Sequence, residues 1–283
     1  MTMCEADSGQ LGYFLYLPSC IIHRHLLVAV HGVGSTAAAM ARHFASIAER
    51  SGIAVMAPDF STKRFRGYQR LEGMAGRDQS AVALDLAACE AAERLGLDRH
   101  SFDLFGFSGG AQFAHRYAMT RPERIRRLIV TAAGWYTECD LGKPFPCGMG
   151  GRTDHASLQA FLSLPITVAV GERDTERDSC FRKTDALDER QGLNRLERAR
   201  FWADHLRQTA VSLDVDCNVS LTLLSRTKHR FREAVEQGGL AELVVEKIAM
   251  PIPAVFERSH AVATLGRSHG RCHSSNGQLK VGY

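Results

Sequence analysis

The sequence predicts an α/β fold in which a mostly parallel sheet is covered by helices on both faces. Short β-rich segments alternate with helical segments along most of the chain, which is the pattern of such a fold. Several β-rich segments are continuously apolar, as in Leu26–Val30 (LLVAV), and this is typical of strands buried on both faces of a parallel sheet. The chain has 283 residues, of which 45% are hydrophobic, so one large domain with a packed core is expected.

In the first part of the chain, each predicted element is marked by its composition or by a residue that ends it. Leu11–Leu17 is a β-rich segment that we predict at an edge of the sheet. Ala37–Ser51 is predicted to be helical because its large apolar residues fall on one face and Gly52 follows as a stop. Ile53–Ala57 is the next predicted strand, and Pro58 ends it.

The alternation continues to about residue 248. Asp78–Leu95 is predicted to be a helix because it opens with an acidic residue and closes before Gly96. The further predicted strands are Phe102–Phe107, Arg127–Thr131, Ile166–Val170 and Val219–Leu224. The further predicted helices are Gly109–Thr120, Gly192–Thr209 and most of Phe231–Ile248.

The chain is predicted to form one domain over residues 1–250, with one insertion and a tail. The insertion, Ala132–Pro165, mixes glycine, proline and aromatic residues without strong periodicity. A connection of this length is often functional, and we expect a short cap over the sheet. Beyond Met250 proline, serine, histidine and glycine dominate, so residues 251–283 are predicted to be a poorly ordered tail.

Charge and hydropathy exclude several functional classes. The net charge is +4, and most of it lies in the segment Glu257–Tyr283, so the nearly neutral body gives little support for nucleic-acid binding. No apolar run approaches the roughly 20 residues that cross a bilayer. Met1–Gln10 has neither the basic start nor the apolar core of a signal peptide. We therefore expect a cytoplasmic protein without nucleic-acid or membrane partners.

The eight cysteines are scattered and form no C-x-x-C motif. In a chain of this length without a secretory leader, free thiols are expected rather than a disulfide framework. Cys139 and Cys147 flank a loop and would be able to pair if the protein were exported.

A G-x-S-x-G motif stands between a predicted strand and a predicted helix, at residues 106–110 (GFSGG). In this context the serine, Ser108, sits on a sharp turn that directs its hydroxyl outward, and the small flanking glycines avoid collisions within the turn. The N-terminus of the following helix also favours developing negative charge. Ser108 is therefore predicted to be a nucleophile.

A serine nucleophile needs a base, and the base needs an orienting acid. Asp174 follows the predicted strand Ile166–Val170, at the sheet edge where parallel sheets place their ligands. His229 follows the last predicted strand, near the same edge. Alternatives for the acid are Glu172, Glu176 and Asp178, with Asp178 the strongest; alternatives for the base are His205 and the tail residues His260, His269 and His273.

The sequence HGVG at residues 31–34 directly follows the first apolar strand. Small residues there let backbone amides approach a substrate oxygen closely. The amides of Val33 and Gly109 are predicted to form the oxyanion hole. His31 is predicted to be a buried residue that braces this loop rather than a second base.

Aromatic residues mark a possible substrate pocket. Trp135 and Tyr136 lie in the insertion and are predicted to bind substrate. Phe60, Phe65 and Tyr68, in the loop after Pro58, are further candidates for the rim of the pocket.

Together HGVG, GFSGG, the strand-terminal GERD at residues 171–174 and the late His229 resemble the α/β-hydrolase superfamily over roughly residues 11–250. The segment GFSGGAQFAHRYA is also similar to the elbow and helix of some esterases and polyester depolymerases. The resemblance implies a serine nucleophile and no cofactor. The chain departs from the pattern of many lipases, which have HGGG rather than HGVG, and it lacks the glycine often found just before the catalytic histidine.

These observations predict a serine hydrolase that cleaves a carboxylic ester of a small molecule through Ser108, His229 and Asp174. No metal is expected, because the histidines show no ligand spacing such as H-E-x-x-H. The alternatives are an amidase or peptidase, a lactone or thioester hydrolase with the same three residues, or a catalytically silent scaffold that binds a ligand.

Overall fold

The computed structural model describes residues 2–5, 11–73 and 78–252 of the chain and contains one continuous sheet. Its strands are β1 (Thr2–Glu5), β2 (Gly12–Tyr16), β3 (Leu27–Val30), β4 (Val55–Pro58), β5 (Phe102–Phe107), β6 (Ile125–Thr131), β7 (Pro165–Gly171) and β8 (Asn218–Leu224). They lie in the order β1-β2-β4-β3-β5-β6-β7-β8. Strands β3 to β8 run parallel to one another, whereas β1 and β2 join the sheet antiparallel. The predicted α/β class with a mostly parallel sheet is confirmed.

Helices connect and cover the strands. They are α1 (Ala37–Ser51), α2 (Gln79–Leu95), α3 (Gly109–Thr120), α4 (His155–Leu162), α5 (Asp185–Gln191), α6 (Arg195–Ser212), α7 (Phe231–Glu236) and α8 (Leu240–Ala249). Short 3₁₀ turns lie at Lys63–Phe65, Tyr68–Arg70 and Pro122–Arg124. Every residue of β3, β4 and β5 is buried, as expected for strands with helices on both faces.

Three predictions about these elements differ from the structure. The segment Leu11–Leu17 contains β2, but β2 is not the edge strand, because β1 pairs along its outer side. The predicted helix Gly192–Thr209 corresponds to α6, which is shifted to Arg195–Ser212 and begins after Asn194, whose side chain accepts a hydrogen bond from the Glu197 amide at 3.0 Å. Helix α5 precedes it and is not among the predicted helices. The predicted helix Phe231–Ile248 is divided at Gly239, which has a φ of 67°.

The insertion packs beside the helix that follows the predicted nucleophile. Residues 132–165 form a loop and α4, and α4 contacts α3 and α6. The role of the insertion as a cap stays a prediction. The predicted tail lies almost wholly beyond the described residues, which end at Ile252.

Other sequence predictions concern thiols, metals and membranes. Cys139 is buried and Cys147 is exposed, and both are free thiols. The part of the chain that the structure describes has no group of three or more histidine, cysteine or acidic side chains arranged to hold a metal ion. In the same residues, no helix combines the length and the apolar character that crossing a membrane requires.

Candidate active site

Ser108 occupies the sharp turn between β5 and α3. Its φ of 55° and ψ of −113° form a backbone conformation that is rare for a residue with a side chain. Such strain persists only where the surrounding structure imposes it, and it is typical of functional sites. Here the Ser108 amide donates to the carbonyl of Thr131 at the end of β6, at 2.8 Å. The turn is thus held by the neighbouring strand.

The flanking glycines are required by close backbone contacts. A Cβ on Gly106 would lie 2.3 Å from the carbonyl oxygen of Gly110, and a Cβ on Gly110 would lie 2.1 Å from the carbonyl oxygen of Val30. Neither neighbour is a movable side chain, so a larger residue would displace the backbone of the turn. The G-x-S-x-G pattern therefore has a packing cause in this fold.

His229 connects the serine to the acid. Its Nε2 accepts a hydrogen bond from the Ser108 hydroxyl at 3.0 Å, and its Nδ1 donates to Asp174 Oδ2 at 2.8 Å. The carboxylate accepts from Nδ1, which leaves Nε2 as the free base toward the serine. The imidazole also stacks on Phe107, with ring centres 5.3 Å apart and planes inclined by 21°. The structure thus brings together the three residues that the sequence predicts as a catalytic set.

Asp174 is held from the side opposite the histidine. Its side chain is 1% exposed, and Arg195, also 1% exposed, places Nη1 3.5 Å from Asp174 Oδ1. The same nitrogen lies 2.9 Å from Asp178 Oδ2. The backbone carbonyl of Asp174 accepts from the amide of Leu196 at 3.3 Å. The first residues of α6 therefore contact both the side chain and the backbone of Asp174.

The rival acids have other partners. Glu172 accepts from the amide of Arg226 at 2.9 Å and so supports the loop of residues 225–230, the histidine loop. Glu176 pairs with Lys228 at 2.6 Å, across the surface from the same loop. Asp178, the strongest alternative, pairs with Arg195 and not with His229. His205, a rival base, accepts from the amide of Cys139 at 2.9 Å in the insertion. His260, His269 and His273 lie outside the described residues.

The loop after β3 is braced by His31, as predicted. The imidazole is buried; its Nε2 accepts from the amide of Phe60 at 3.2 Å, and its Nδ1 lies 2.9 Å from the carbonyl of Gly32, to which it donates. Burial lowers the pKa of His31, which favours the neutral form that this pair of hydrogen bonds needs. The Tyr68 hydroxyl donates to the His31 carbonyl at 2.9 Å. The loop is therefore held at three points.

This braced loop approaches the serine closely. A Cβ on Gly109 would lie 3.0 Å from the amide nitrogen of Val33, and one on Gly32 would lie 3.8 Å from Ser108 Oγ. The amides of the first turn of α3, which begins at Gly109, have no partner within the helix. The amide nitrogen of Val33 thus lies close to Gly109, the residue that follows the serine.

The two predicted pocket residues lie in different environments. Trp135 is 4% exposed and lines a small cavity, as described below. Tyr136 has no exposed surface; its ring stacks on Trp202 with centres 4.7 Å apart, and its amide and carbonyl both pair with the side chain of Gln191. The prediction that Tyr136 lines a pocket is corrected, because a side chain without accessible surface belongs to the core.

The predicted rim residues after Pro58 are also buried. Phe60, Phe65 and Tyr68 are at most 5% exposed, and Phe60 stacks on Tyr68 with ring centres 5.1 Å apart. Their aromatic cluster supports the loop after β3 and does not form a rim.

Sequence reasoning missed Arg195 and the stacking role of Phe107. Arg195 has the sequence context of a surface residue in a charged helix, and no sequence signal distinguishes it from its neighbours. Phe107 is marked only as the variable residue of G-x-S-x-G. The stacking of Phe107 on His229 depends on where the loop after β8 places the histidine, and no local sequence pattern reveals that position.

The arrangement can perform nucleophilic chemistry. A hydroxyl within hydrogen-bonding distance of an imidazole that is oriented by a buried carboxylate is the geometry that activates a serine. Arg195 places a positive charge beside the Asp174 carboxylate, which in turn faces the imidazole of His229.

Comparison with solved structures tests the fold. Poly(aspartic acid) hydrolase-1 from Sphingomonas sp. KT-1 is 24% identical, with a TM-score of 0.73 over 85% of this chain and 94% of that one. LpqC, a poly(3-hydroxybutyrate) depolymerase from Bordetella parapertussis, is 22% identical, with a TM-score of 0.71 over 90% of each chain. An S-formylglutathione hydrolase from Agrobacterium tumefaciens is 15% identical, with a TM-score of 0.55 over 88% of this chain and 94% of that one.

No protein-family model and no curated protein sequence matches the chain. The likeness is thus one of structure, and it agrees with the topology of the sheet and with the turn that carries Ser108. The chain has the α/β-hydrolase fold, as its resemblance to that superfamily implies.

Proposed function

We propose that the protein is a serine hydrolase that cleaves a carboxylic ester of a small molecule. The observation that carries this proposal is the continuous series of hydrogen bonds from Ser108 through His229 to Asp174, at 3.0 and 2.8 Å. The three residues are separated by long stretches of sequence and come from three different strand ends. A serine without a catalytic role would not require a buried carboxylate that is connected to it through two successive hydrogen bonds.

The mechanism follows from the roles of the three side chains. His229 takes the proton of Ser108 as the hydroxyl oxygen attacks the ester carbonyl, and Asp174 stabilises the imidazolium that results. The amides of Val33 and Gly109 hold the oxyanion; loss of one such donor typically costs about 10²–10³ in rate. His229 then returns its proton to the leaving alcohol. A water molecule, activated in the same way, hydrolyses the acyl-enzyme and releases the acid.

An ester is proposed as substrate on the motif resemblance and on the structural neighbours. LpqC and the S-formylglutathione hydrolase are named for a polyester and for a thioester, and poly(aspartic acid) hydrolase-1 for a polyamide. These names support acyl transfer to water in general. Amide, lactone and thioester hydrolysis are therefore the alternatives against which the ester is to be tested.

A fluorophosphonate probe tests the nucleophile. We expect covalent labelling of the protein at Ser108, detected by mass spectrometry of the modified peptide, and no labelling of Ser108→Ala. A matched control is Ser225→Ala, which removes an exposed serine of the histidine loop and should label like the parent protein. If Ser108 stays unlabelled while the protein is folded, the chain is a silent scaffold.

A substrate panel tests the reaction. We expect turnover of p-nitrophenyl esters of varied acyl length and little turnover of aminoacyl anilides. Turnover of the anilides alone would replace the ester by an amide.

A further inference from the structure

A small cavity lies along the helix that carries the nucleophile. Its volume is about 180 Å³. It is lined by Gln69, Arg70, Gln112, Gly134, Trp135, Cys180 and Arg182. Gln112 is one helical turn beyond Ser108, and its amide donates to the Ser108 carbonyl at 3.1 Å. With a rise of about 1.5 Å per residue, Gln112 lies about 6 Å along α3 from the serine. A group bound beside Gln112 would therefore lie about one helical turn from the predicted nucleophile.

Two guanidinium groups, those of Arg70 and Arg182, line this cavity, and a third, that of Arg116, contacts its Trp135 wall. The guanidinium carbon of Arg116 lies 4.2 Å from the centre of the Trp135 ring, and that of Arg182 lies 5.0 Å from the same ring. Arg70 lines the cavity and pairs with Glu72 at 2.8 Å. Within the described residues, neither Arg116 nor Arg182 forms an ion pair with a carboxylate. The cavity is therefore lined by two cations, of which Arg70 is paired with Glu72, and the buried charge of Arg116 lies close by.

The cost of this arrangement falls mainly on Arg116. Its side chain is fully buried, and its Nη2 has no hydrogen-bond partner among the described residues. Burial, together with the charge of Arg70, lowers the pKa of Arg116 to about 9. A buried cation without a counter-ion is unfavourable unless a bound anion compensates it. Because Arg116 contacts Trp135 and Gln112, which line the cavity, an anion bound there would partly offset its charge.

The donors are suited to a carboxylate. A guanidinium presents paired N–H groups that match the two oxygens of a carboxylate, and such charge-assisted bonds are stronger than neutral ones. The Gln112 Oε1 accepts from Arg116 Nη1 at 3.4 Å, so the Gln112 amide nitrogen remains available as a donor. Arg182 is exposed and able to reorient toward a ligand.

We propose that this cavity binds an ionised carboxylate of the substrate, so that the preferred esters carry a second, free carboxyl group. The inference rests on the proposed function, since it names the substrate class of the same site. The carboxylate belongs either to the acyl part or to the alcohol part of the ester. The chemistry of recognition is the same in both cases.

Matched pairs of substrates separate these two sources. Monoethyl glutarate is compared with diethyl glutarate for the acyl side, and 3-acetoxypropionate with its methyl ester for the alcohol side. Hydrolysis is followed by pH-stat titration. We expect kcat/KM to favour the anionic member about 10- to 100-fold in one of the two pairs, as hydrogen bonds to charged groups imply. Absence of such a preference in both pairs would overturn the proposal.

The substitution Arg182→Gln tests whether Arg182 contributes to the preference for anionic esters. We expect the ratio of kcat/KM for the anionic ester to that for the neutral ester to fall at least about tenfold, with most of the loss in KM. Arg182→Lys keeps the charge but not the paired donors, and should retain part of the ratio. The matched control is Arg200→Gln, an exposed arginine of α6 outside the cavity, which should leave the ratio as in the parent protein. Equal losses in the Gln variants at 182 and 200 would contradict a specific site.

A binding measurement separates failure of this inference from failure of the proposed function. Glutarate is titrated into Ser108→Ala, and tryptophan fluorescence reports contact with Trp135. We expect a saturable change in tryptophan fluorescence with Ser108→Ala, and no such change with the double variant that also carries Arg182→Gln. Glutarate binding without any ester hydrolysis by the parent protein would refute the proposed function alone. Hydrolysis of neutral esters without glutarate binding or anionic preference would refute the carboxylate site alone.

Discussion

At the scale of single residues, Asp174 and Asp178 offer a sharp test, because both carboxylates pair with Arg195 but only Asp174 contacts His229. Asp174→Asn should reduce kcat by about 10⁴, since an amide no longer holds the imidazole in the required tautomer. Its effect on KM should be small. The measurement is steady-state hydrolysis of a p-nitrophenyl ester.

Asp178→Asn is the matched control for this prediction. It removes a similar carboxylate from the same arginine, and we expect kcat to stay within a few-fold of the parent value. If Asp178→Asn were the more damaging substitution, the roles assigned to the two acids would have to be exchanged.

Residues differ in how far sequence alone can assign them. Ser108 is marked by a local pattern, because the glycines that its turn needs are its immediate neighbours. The only sequence signal for Asp174 and His229 is their position after a predicted strand, and alternatives such as Asp178 have the same signal. Arg195 has no mark at all, since its burial depends on how α6 packs against the loop after β7. Local constraints are readable from sequence, whereas partners across the fold are not.

At the scale of elements, the turn between β5 and α3 depends on the absence of a side chain at Gly110. Gly110→Ala would place a Cβ 2.1 Å from the carbonyl oxygen of Val30, which belongs to the adjacent strand β3. We expect a loss of about 1–3 kcal/mol in the free energy of unfolding, the usual cost of overpacking, or more if the strand is displaced. Urea unfolding followed by circular dichroism measures it.

Gly142→Ala is a suitable comparison. A Cβ there meets only the side-chain Oδ1 of Asp140, at 3.3 Å, on an exposed loop. The free energy of unfolding should change by less than about 0.5 kcal/mol. Equal losses at the two glycines would show that the strand contact at Gly110 is not the cause.

Elements whose bounds follow from local patterns are the ones that sequence predicts best. Helix α1 agrees with its predicted bounds, and so do β5 and α3. The segment Phe231–Ile248 is predicted to be mostly helical, and α7 and α8 account for most of it, with a break between them. The break has a tertiary cause: a Cβ on Gly238 would lie 2.7 Å from Thr227 Cγ2, so the chain there packs against the histidine loop.

At the scale of the whole molecule, the sheet explains how distant residues form one site. Ser108, Asp174 and His229 follow β5, β7 and β8, whose carboxyl ends lie along the same edge because these strands are parallel. The order of the strands cannot be read from the alternation of elements alone. That parallel strands end at a common edge can be inferred from this alternation, and this is sufficient to predict which strand ends carry the site.

The whole molecule also buries histidines that link its stability to pH. The clearest case is His115 on α3, whose Nδ1 donates to the Ala111 carbonyl at 2.8 Å and whose Nε2 accepts from the Thr137 amide at 3.0 Å. Burial, with a smaller effect of Arg116, lowers the pKa of His115 well below its ordinary value. Burial lowers the pKa values of His31 and His205 as well.

A histidine with a lowered pKa in the folded state binds more protons when the chain unfolds. Its contribution to stability is therefore complete above the unfolded pKa of about 6.5 and is lost as the pH falls below that value. A histidine that stays neutral in the folded state down to pH 5.5, as expected for His115, should lower the free energy of unfolding by about 1.4 kcal/mol between pH 7.5 and 5.5. Most carboxylates titrate below this range, so histidines dominate the change there.

Urea unfolding of the parent protein and of His115→Gln at these two pH values tests the linkage. The variant is expected to be less stable at both, because it loses packing, but its loss between pH 7.5 and 5.5 should be smaller by about 1.4 kcal/mol. The difference between the two losses isolates proton uptake from the packing defect, since the defect is common to both pH values. An identical pH dependence in the two proteins would mean that His115 takes up no proton on unfolding in this range. The burial of His115 between α3 and the insertion would then not be a cause of the loss of stability at low pH.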